Sequence, residues 1–164
     1  MKSLQLLRNG AFGLSLMATA LACSAPQNTT GAADLNTGEL LERKAFVFIP
    51  QTMSPTGGRT RQVTPDFFFR VSGDTVQSYL PYAGRSYNAP MDPTRGGMDF
   101  NTTQFGYQVS KGKKEATNIT IEPRSGTEAR QITLQVFPNG NASLQAVFNN
   151  RQSISYNGRI QARR

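Results

Sequence analysis

The sequence predicts a mostly β protein, an antiparallel sandwich or small barrel with one short N-terminal helix. Three observations support this prediction. Short segments in which apolar and polar residues alternate follow one another through most of the chain. Turns rich in Gly, Pro and Asn separate them at intervals of about 8–12 residues, as in all-β domains. Only one stretch, Thr37–Lys44, has the capping residue and charge pattern of a helix.

The composition excludes several classes of catalytic and metal site. The chain has 164 residues, with 18 Lys and Arg, 10 Asp and Glu, one Cys and no His. A chain without His has no Ser-His-Asp triad, no Cys-His pair and no His-ligated zinc, and a lone Cys forms no intramolecular disulfide. The length suits one domain. We therefore predict no catalytic residues, no metal site and no cofactor.

Residues 1–22 have the three parts of a secretory signal. Lys2 and Arg8 make a positively charged start, and Ala11–Ala22 is an apolar run that is too short to span a membrane, which takes roughly 20 apolar residues. Residues 20–23 (Ala-Leu-Ala-Cys) resemble the lipobox of bacterial lipoproteins. That resemblance implies cleavage before Cys23 and acylation of Cys23. The alternative is ordinary signal cleavage, which leaves a soluble protein with a free thiol.

Residues 23–36 are predicted to form a flexible tether that begins at acylated Cys23. This stretch is small, polar and almost uncharged, and it has too few apolar groups to fold. No acidic run follows the cysteine, which favours the periplasmic face of the outer membrane over the cell surface. We therefore expect a lipid-anchored outer-membrane protein of the cell envelope, with residues 37–164 forming a single β domain.

The elements of this domain follow in order along the chain. Thr37 caps the predicted helix, Thr37–Lys44, which has an acid in its first turn and bases near its end. Ala45–Gln51 is apolar on both faces and predicts a covered strand. Asp66–Ser72 and Thr75–Leu80 flank a two-residue Gly-Asp turn and predict a hairpin. The remaining predicted strands are Phe105–Ser110, Thr117–Glu122, Arg130–Phe137, Ala142–Phe148 and Gln152–Ile160.

One hairpin, around Pro138–Gly140, allows its register to be predicted. If Asn139-Gly140 formed a two-residue turn, apolar side chains would lie opposite polar ones on the buried face. A three-residue loop with Gly140 in the left-handed conformation restores a continuous apolar face. We predict this second register because a slip of one residue would turn the apolar set toward water. It pairs Val136 with Ala142, Leu134 with Leu144, and Ile132 with Ala146.

Two strings, Tyr79–Tyr87 (YLPYAGRSY) and Asn150–Gly158 (NRQSISYNG), resemble the signatures of a Bacteroidetes lipoprotein family known as domain of unknown function 4251. The segment Lys44–Phe48 and the turn Ser72–Thr75 fit the same family. The resemblance covers about residues 36–160. It implies a bacterial envelope protein, and it supplies no catalytic residues because the activity of the family is not known.

Tyr79, Tyr82, Arg85 and Tyr87 form the candidate binding surface, at a strand end that leads into the loop Asn88–Gly97. Tyr and Arg dominate binding hot spots, and functional residues often lie on loops held by a rigid sheet. In the structural alternative, the tyrosine rings cover the end of the sheet and Arg85 hydrogen-bonds carbonyls of the loop. The candidate partners are an envelope protein, a glycan or an apolar ligand. The secretion signal argues against nucleic acid, and the lipid anchor provides contact with the membrane.

Two other features have both a functional and a structural interpretation. The excess of basic residues suits anionic partners such as lipopolysaccharide phosphates, anionic lipids or acidic glycans, but scattered charges are also typical of a solvated surface. Asp74-Thr75-Val76 matches a short motif that is O-glycosylated on Thr in Bacteroidetes envelope proteins. Thr75 is therefore a candidate O-glycosylation site, and the alternative is ordinary turn chemistry.

The sequence thus predicts a lipid-anchored envelope protein of unknown activity that acts as a non-catalytic binding or interaction module in the periplasm. The alternative is a hydrolase of envelope glycans, which needs two carboxylates within about 10 Å of each other in a cleft. A deep apolar cavity would favour binding of an apolar ligand. A closed core with a flat Tyr and Arg patch would favour contact with another protein.

Overall fold

The described strands form one antiparallel sheet, and along most of them side chains alternate between the inner and the outer face. The computed structural model describes residues 37–87 and 97–162, all of which lie in the larger unit of the chain, Ala32–Arg164. Its elements are α1 (Thr37–Glu42), β1 (Ala45–Pro55), β2 (Arg61–Gln62), β3 (Phe68–Ser72), β4 (Thr75–Leu80), β5 (Met98–Thr102), β6 (Phe105–Lys111), β7 (Thr117–Pro123), β8 (Ala129–Val136), β9 (Asn141–Phe148) and β10 (Ile154–Ala162).

The strand order curls the sheet almost into a closed barrel. Neighbouring strands follow the order β5-β4-β3-β1-β10-β9-β8-β7-β6, and β2 pairs with β1 outside this path. The two edge strands, β5 and β6, are consecutive in the chain and are joined by Thr103 and Gln104 alone. Because two residues span only a short distance, the end of one edge lies beside the start of the other. The predicted fold class, mostly β and antiparallel with one short helix, is confirmed.

Apolar side chains from strands all around the sheet fill the interior, as expected for a small barrel. β9 alternates strictly between buried and more exposed positions, and β8 does so from Ile132 onward, after a register shift between Ala129 and Gln131, so each contributes one row of side chains to the core. The largest fully buried side chains are Tyr156, Phe46, Phe48, Phe69, Leu41, Leu80, Ile119, Ile121, Ile132, Leu134, Leu144 and Ile154.

The short helix α1 is fixed to the edge strand β6. Leu41 is buried in the core, and the Tyr107 hydroxyl donates a hydrogen bond to its carbonyl oxygen at 2.8 Å. The Lys44 ammonium lies 5.0 Å from the centre of the Tyr107 ring. Burial raises the pKa of Tyr107 to about 12. The helix ends earlier than predicted because Lys44 takes a φ of +51°, a left-handed conformation that ends helices.

The predicted register of the β8–β9 hairpin and the predicted two-residue hairpin between β3 and β4 are confirmed. β8 and β9 pair Val136 with Ala142, Leu134 with Leu144, and Ile132 with Ala146. Gly140 takes a φ of +79°, and its N–H donates to the Phe137 carbonyl at 2.9 Å. β3 and β4 join through the two-residue turn, with Ser72 opposite Thr75.

Two strands were not predicted. β5 has a strict buried and exposed alternation, but Asp99 and Asn101 on its exposed face are residue types that are depleted in strands. β2 has only two residues. The end of β1 was also placed too early, since a register shift between Pro50 and Thr52 lets the strand continue to Pro55. Within residues 37–87 and 97–162, no helix has the length and hydrophobicity to cross a membrane.

Candidate functional site

The two strings Tyr79–Tyr87 and Asn150–Gly158 lie against each other in the fold. An isolated antiparallel bridge joins Ser86 to Arg151, and the Gln152 N–H donates to the Arg85 carbonyl at 3.1 Å. Gln152 was predicted to open the last strand, but β10 begins at Ile154. The backbone of Gln152 pairs instead with the segment that follows β4, so this segment is held in place without being a strand.

Two tyrosine hydroxyls hold the segment that contains Pro81 and Tyr82. The Tyr156 hydroxyl donates to the Pro81 carbonyl at 2.6 Å, and the Tyr82 hydroxyl lies 2.9 Å from the Gln152 carbonyl. Burial raises the pKa of Tyr156. Burial also raises the pKa of Tyr82, against the opposing effect of the nearby Arg151 guanidinium. Both hydroxyls therefore keep their protons at neutral pH and act as hydrogen-bond donors.

Arg151, which belongs to the second string, packs against the Tyr82 ring of the first string. Its Nε lies 2.7 Å from Glu128 Oε2, with the Arg151 side chain only 11% exposed, and its Nη1 donates to the Gly97 carbonyl at 3.3 Å. The guanidinium carbon lies 5.4 Å from the centre of the Tyr82 ring, and that ring packs edge-on against Phe148 at 5.4 Å. Arg151 thus positions Tyr82.

An open groove of about 490 Å³ lies where the connection between β1 and β2 approaches this segment. Gly84 lies under Tyr82 so closely that a Cβ atom at position 84 would collide with the Tyr82 hydroxyl. A glycine is therefore needed at position 84 for the observed position of the ring. The residues that line the groove are Pro55, Thr56, Gly57, Gly58, Arg59, Arg61, Tyr82, Ala83, Gly84, Arg85 and Gln152.

The described lining of the groove is positively charged. It contains three arginines, Arg59, Arg61 and Arg85, and no carboxylate. All three arginines are exposed. Within the described part of the chain, their guanidinium groups make no hydrogen bond or ion pair. Guanidinium groups without a protein partner are available to bind an anionic group.

The four residues of the predicted binding surface are divided between different places. Tyr82 and Arg85 line the groove. Tyr79 is 45% exposed on β4, and its ring stacks on Phe67 at 5.1 Å. Tyr87 is 70% exposed, beyond the lining of the groove. The structure therefore brings together one pair from the predicted set and adds Arg59 and Arg61, which belong to the excess of basic residues and are not part of the predicted surface.

The described contacts of Arg85 are made by its backbone. Its N–H donates to Gln152 Oε1 at 3.3 Å, and its carbonyl accepts from the Gln152 N–H. The predicted hydrogen bonds from the Arg85 side chain to the following loop concern residues 88–96, which lie outside the described residues. The structural and the functional interpretation of this side chain both remain predictions.

The other predicted sites are placed as follows. Thr75 begins β4 and is half-buried opposite Ser72, so its glycosylation stays a prediction. Cys23 lies outside the described residues. Among the described residues, no group of three or more Asp, Glu, Cys or His side chains is placed to hold a metal ion.

Comparison with known proteins identifies the same family as the two strings. Residues 32–160 match the family described as "Domain of unknown function (DUF4251)". A crystal structure of a DUF4251 family protein from Bacteroides eggerthii is similar in fold, with a TM-score of 0.56 and 17% sequence identity over 77% of this chain and 85% of that chain. None of the curated proteins matches the chain.

Proposed function

The chain belongs to the DUF4251 family, and on that premise we propose that it is a lipid-anchored protein of the cell envelope that acts as a non-catalytic binding module. It is anchored at the periplasmic face of the outer membrane and binds its partner through the groove lined by Tyr82 and Arg85. The observation that supports this proposal is the groove itself, which is open and positively charged and whose arginine side chains have no partner among the described residues.

The proposal of a lipid anchor rests on the sequence around Cys23. Cleavage and acylation there give three acyl chains, and each buried methylene adds about 0.8 kcal/mol to membrane binding. Residues 24–36 have the composition of a flexible chain and reach about 20 Å at roughly 5–6 Å times the square root of their number. The β domain is thus held near the membrane while its groove stays accessible to envelope components.

The chemistry of the groove supports binding rather than hydrolysis. A glycan hydrolase of the usual kind needs one carboxylic acid as proton donor and a second carboxylate as nucleophile or base. The described lining provides arginine, tyrosine and glutamine instead. The arginine and glutamine side chains can fix a ligand by charge and hydrogen bonds, and the Tyr82 ring offers a contact surface, since its hydroxyl proton is already donated to the Gln152 carbonyl.

The experiment uses a photocrosslinking amino acid in place of Thr56, in cells that make the full chain. Thr56 is exposed in the groove and is not one of its arginines, and the matched control is the same amino acid in place of Thr103, which is exposed between β5 and β6 outside the groove. We expect one defined envelope component to be captured from position 56 and not from position 103. Equal capture from both positions, or none from position 56, would contradict a binding role for the groove.

The anchor is tested separately with labelled fatty acid. We expect label in the wild-type chain and none after Cys23→Ser, together with release of the variant from the membrane fraction. An unlabelled wild-type chain would show that ordinary signal cleavage is the correct alternative.

A further inference from the structure

We propose that the groove binds a phosphate monoester carried on a small organic group, either a free sugar phosphate or a lipid headgroup. This inference rests on the proposed function, because it assigns a ligand class to the same groove. It starts from three arginines of the lining, Arg59, Arg61 and Arg85, which face one open volume with no carboxylate in the described lining to neutralise them.

The number of arginines favours phosphate over carboxylate. A carboxylate has two oxygens, and a single guanidinium satisfies both in a bidentate pair. A phosphate monoester has three terminal oxygens and a charge close to −2 at neutral pH, so it has acceptor sites for several guanidinium groups at once. Arg59, Arg61 and Arg85 come from two separate segments that both line the groove, so a phosphate bound by all three would contact both segments.

The remaining lining suits a small organic group beside the phosphate. The volume of about 490 Å³ lies within the range of roughly 300–1,000 Å³ that is typical of small-molecule sites. Pro55, Ala83 and the Tyr82 ring offer apolar surface to a carbon skeleton, and Gln152 offers a polar group. Gly57 has no neighbouring atom within 4 Å of the position of a Cβ, so one wall of the groove lacks a side chain.

The arginines have no other described role. Arg70 and Arg151, by contrast, lie over the aromatic rings of Phe68 and Tyr82, and Arg43 and Arg151 form ion pairs with Glu39 and Glu128. A groove that gathers three exposed arginines without such contacts has an unbalanced positive charge that an anion would neutralise.

The same phosphate chemistry is found on soluble sugar phosphates and on lipid headgroups. The test therefore titrates the full chain in detergent with glucose 6-phosphate, glucose and glucuronate by calorimetry. A second arm measures cosedimentation of the full chain carrying Cys23→Ser with vesicles of phosphatidylcholine, alone or with phosphatidic acid. Cys23→Ser removes the acyl chains from this arm, and the vesicles of phosphatidylcholine alone measure the membrane binding that does not depend on phosphatidic acid.

Two sets of variants provide the controls. The groove variant combines Arg59→Gln, Arg61→Gln and Arg85→Gln. The matched variant combines Arg124→Gln, Arg130→Gln and Arg159→Gln, which removes the same charge from exposed arginines outside the groove. Thermal melting of both variants verifies that they fold.

We expect glucose 6-phosphate or phosphatidic acid to bind the wild-type groove, and the groove variant to bind at least about tenfold more weakly, since it lacks three charged hydrogen-bonding groups. The matched variant should keep its affinity. Binding of glucose 6-phosphate alone identifies a soluble sugar phosphate as the source, and binding of phosphatidic acid alone identifies a lipid headgroup.

Three results would overturn the inference: no binding in either arm, equal weakening in both variants, or glucuronate binding as tightly as glucose 6-phosphate. Crosslinking from position 56 separates this failure from failure of the proposed function. If an envelope component is captured there while no phosphate ligand binds, the groove is a binding site for another class of partner and only the phosphate inference is wrong.

Discussion

The interior of the barrel and the groove on its surface are held together by different forces. Phe69 and Leu144 are fully buried among other apolar side chains, and their contribution is non-directional burial of apolar surface. The groove is held by directional contacts, such as the hydrogen bonds from Tyr156 to Pro81 and between the backbones of Gln152 and Arg85. The difference indicates that the core side chains stabilise the fold, whereas the three groove arginines make no side-chain contact with the described residues that would stabilise it.

The largest expected effect on stability comes from removing a large side chain from the core. Phe69→Ala removes a fully buried ring and should lower the free energy of unfolding by about 3–5 kcal/mol. Phe68, the preceding residue of β3, has a half-buried ring on the opposite face of the sheet. Phe68→Ala should therefore lower the free energy of unfolding by less. Denaturant unfolding of both variants measures the difference. Equal losses would show that the two faces of the sheet contribute alike.

A smaller loss of stability should follow from a substitution in the turn between β8 and β9, which sets the register of these two strands. Gly140→Val forces a branched residue to the left-handed φ of +79° and should cost about 1–2 kcal/mol. Gly106→Val on β6 is the control, since a Cβ at position 106 would make ordinary contacts, with Glu122 Cβ at 3.7 Å. If the control loses as much stability as Gly140→Val, conformational strain at position 140 is not the cause.

Alkaline pH should destabilise the fold through its buried tyrosines. Burial raises the pKa of Tyr107 from 10.0 to about 12 and also raises the pKa of Tyr156. Above pH 10 the unfolded chain therefore loses protons that the folded chain keeps. The stability contributed by these groups is complete below pH 10 and is lost as the pH rises through the folded pKa values.

We expect this loss to reach at least about 1 kcal/mol by pH 12, since one unit of pKa shift corresponds to about 1.4 kcal/mol and the partial exposure of Tyr107 reduces its share. Denaturant midpoints measured at pH 9, 10, 11 and 12 provide the test. A midpoint that stays constant over this range for the wild type would contradict the assignment.

Tyr156 connects the two regions, since its ring is in the core and its hydroxyl binds Pro81. Tyr156→Phe keeps the ring and removes one hydrogen bond, so it should cost about 1 kcal/mol. Amide exchange should become faster at Tyr82 and Arg85 and remain unchanged at Leu144. Uniform acceleration at all three positions would mean that the hydroxyl stabilises the whole barrel rather than the segment beside the groove.

The smallest effect on stability is expected at the groove itself. Arg85→Ala removes an exposed guanidinium without a described partner, and its effect should stay within about 0.5 kcal/mol of the wild type. The melting temperature and the binding of glucose 6-phosphate are measured on the same sample. We expect binding to weaken while melting is unchanged, and the reverse pattern would support a structural role for the Arg85 side chain.

The fold was predictable from the sequence where a local pattern is compatible with only one arrangement of the strands. In the β8–β9 hairpin, the period of two and the position of Gly140 allowed only one register with a continuous apolar face. β5 was missed because Asp99 and Asn101 lie between its buried residues and because its place in the sheet depends on pairing with β4. That pairing is a tertiary contact, which local propensity does not report.

The site was predictable only in part, because it is assembled from separate segments. Tyr82 and Arg85 were identified from a single string of Tyr and Arg residues. Arg59 and Arg61 join them only through the approach of the β1–β2 connection, and nothing in the local sequence shows that approach. Arg151 is part of the second string, but its position beside Tyr82 could not be predicted from that string, because it depends on the pairing of the two strings.

Chemical-shift mapping of the isotope-labelled full chain during titration with glucose 6-phosphate tests most directly where a ligand binds. The account predicts that the signals of Arg59, Arg61 and Arg85 shift with ligand concentration, while inward-facing residues such as Phe48 and Leu144 keep their positions. Shifts concentrated on the inward-facing residues would contradict it, because they would place the ligand inside the barrel rather than in the groove.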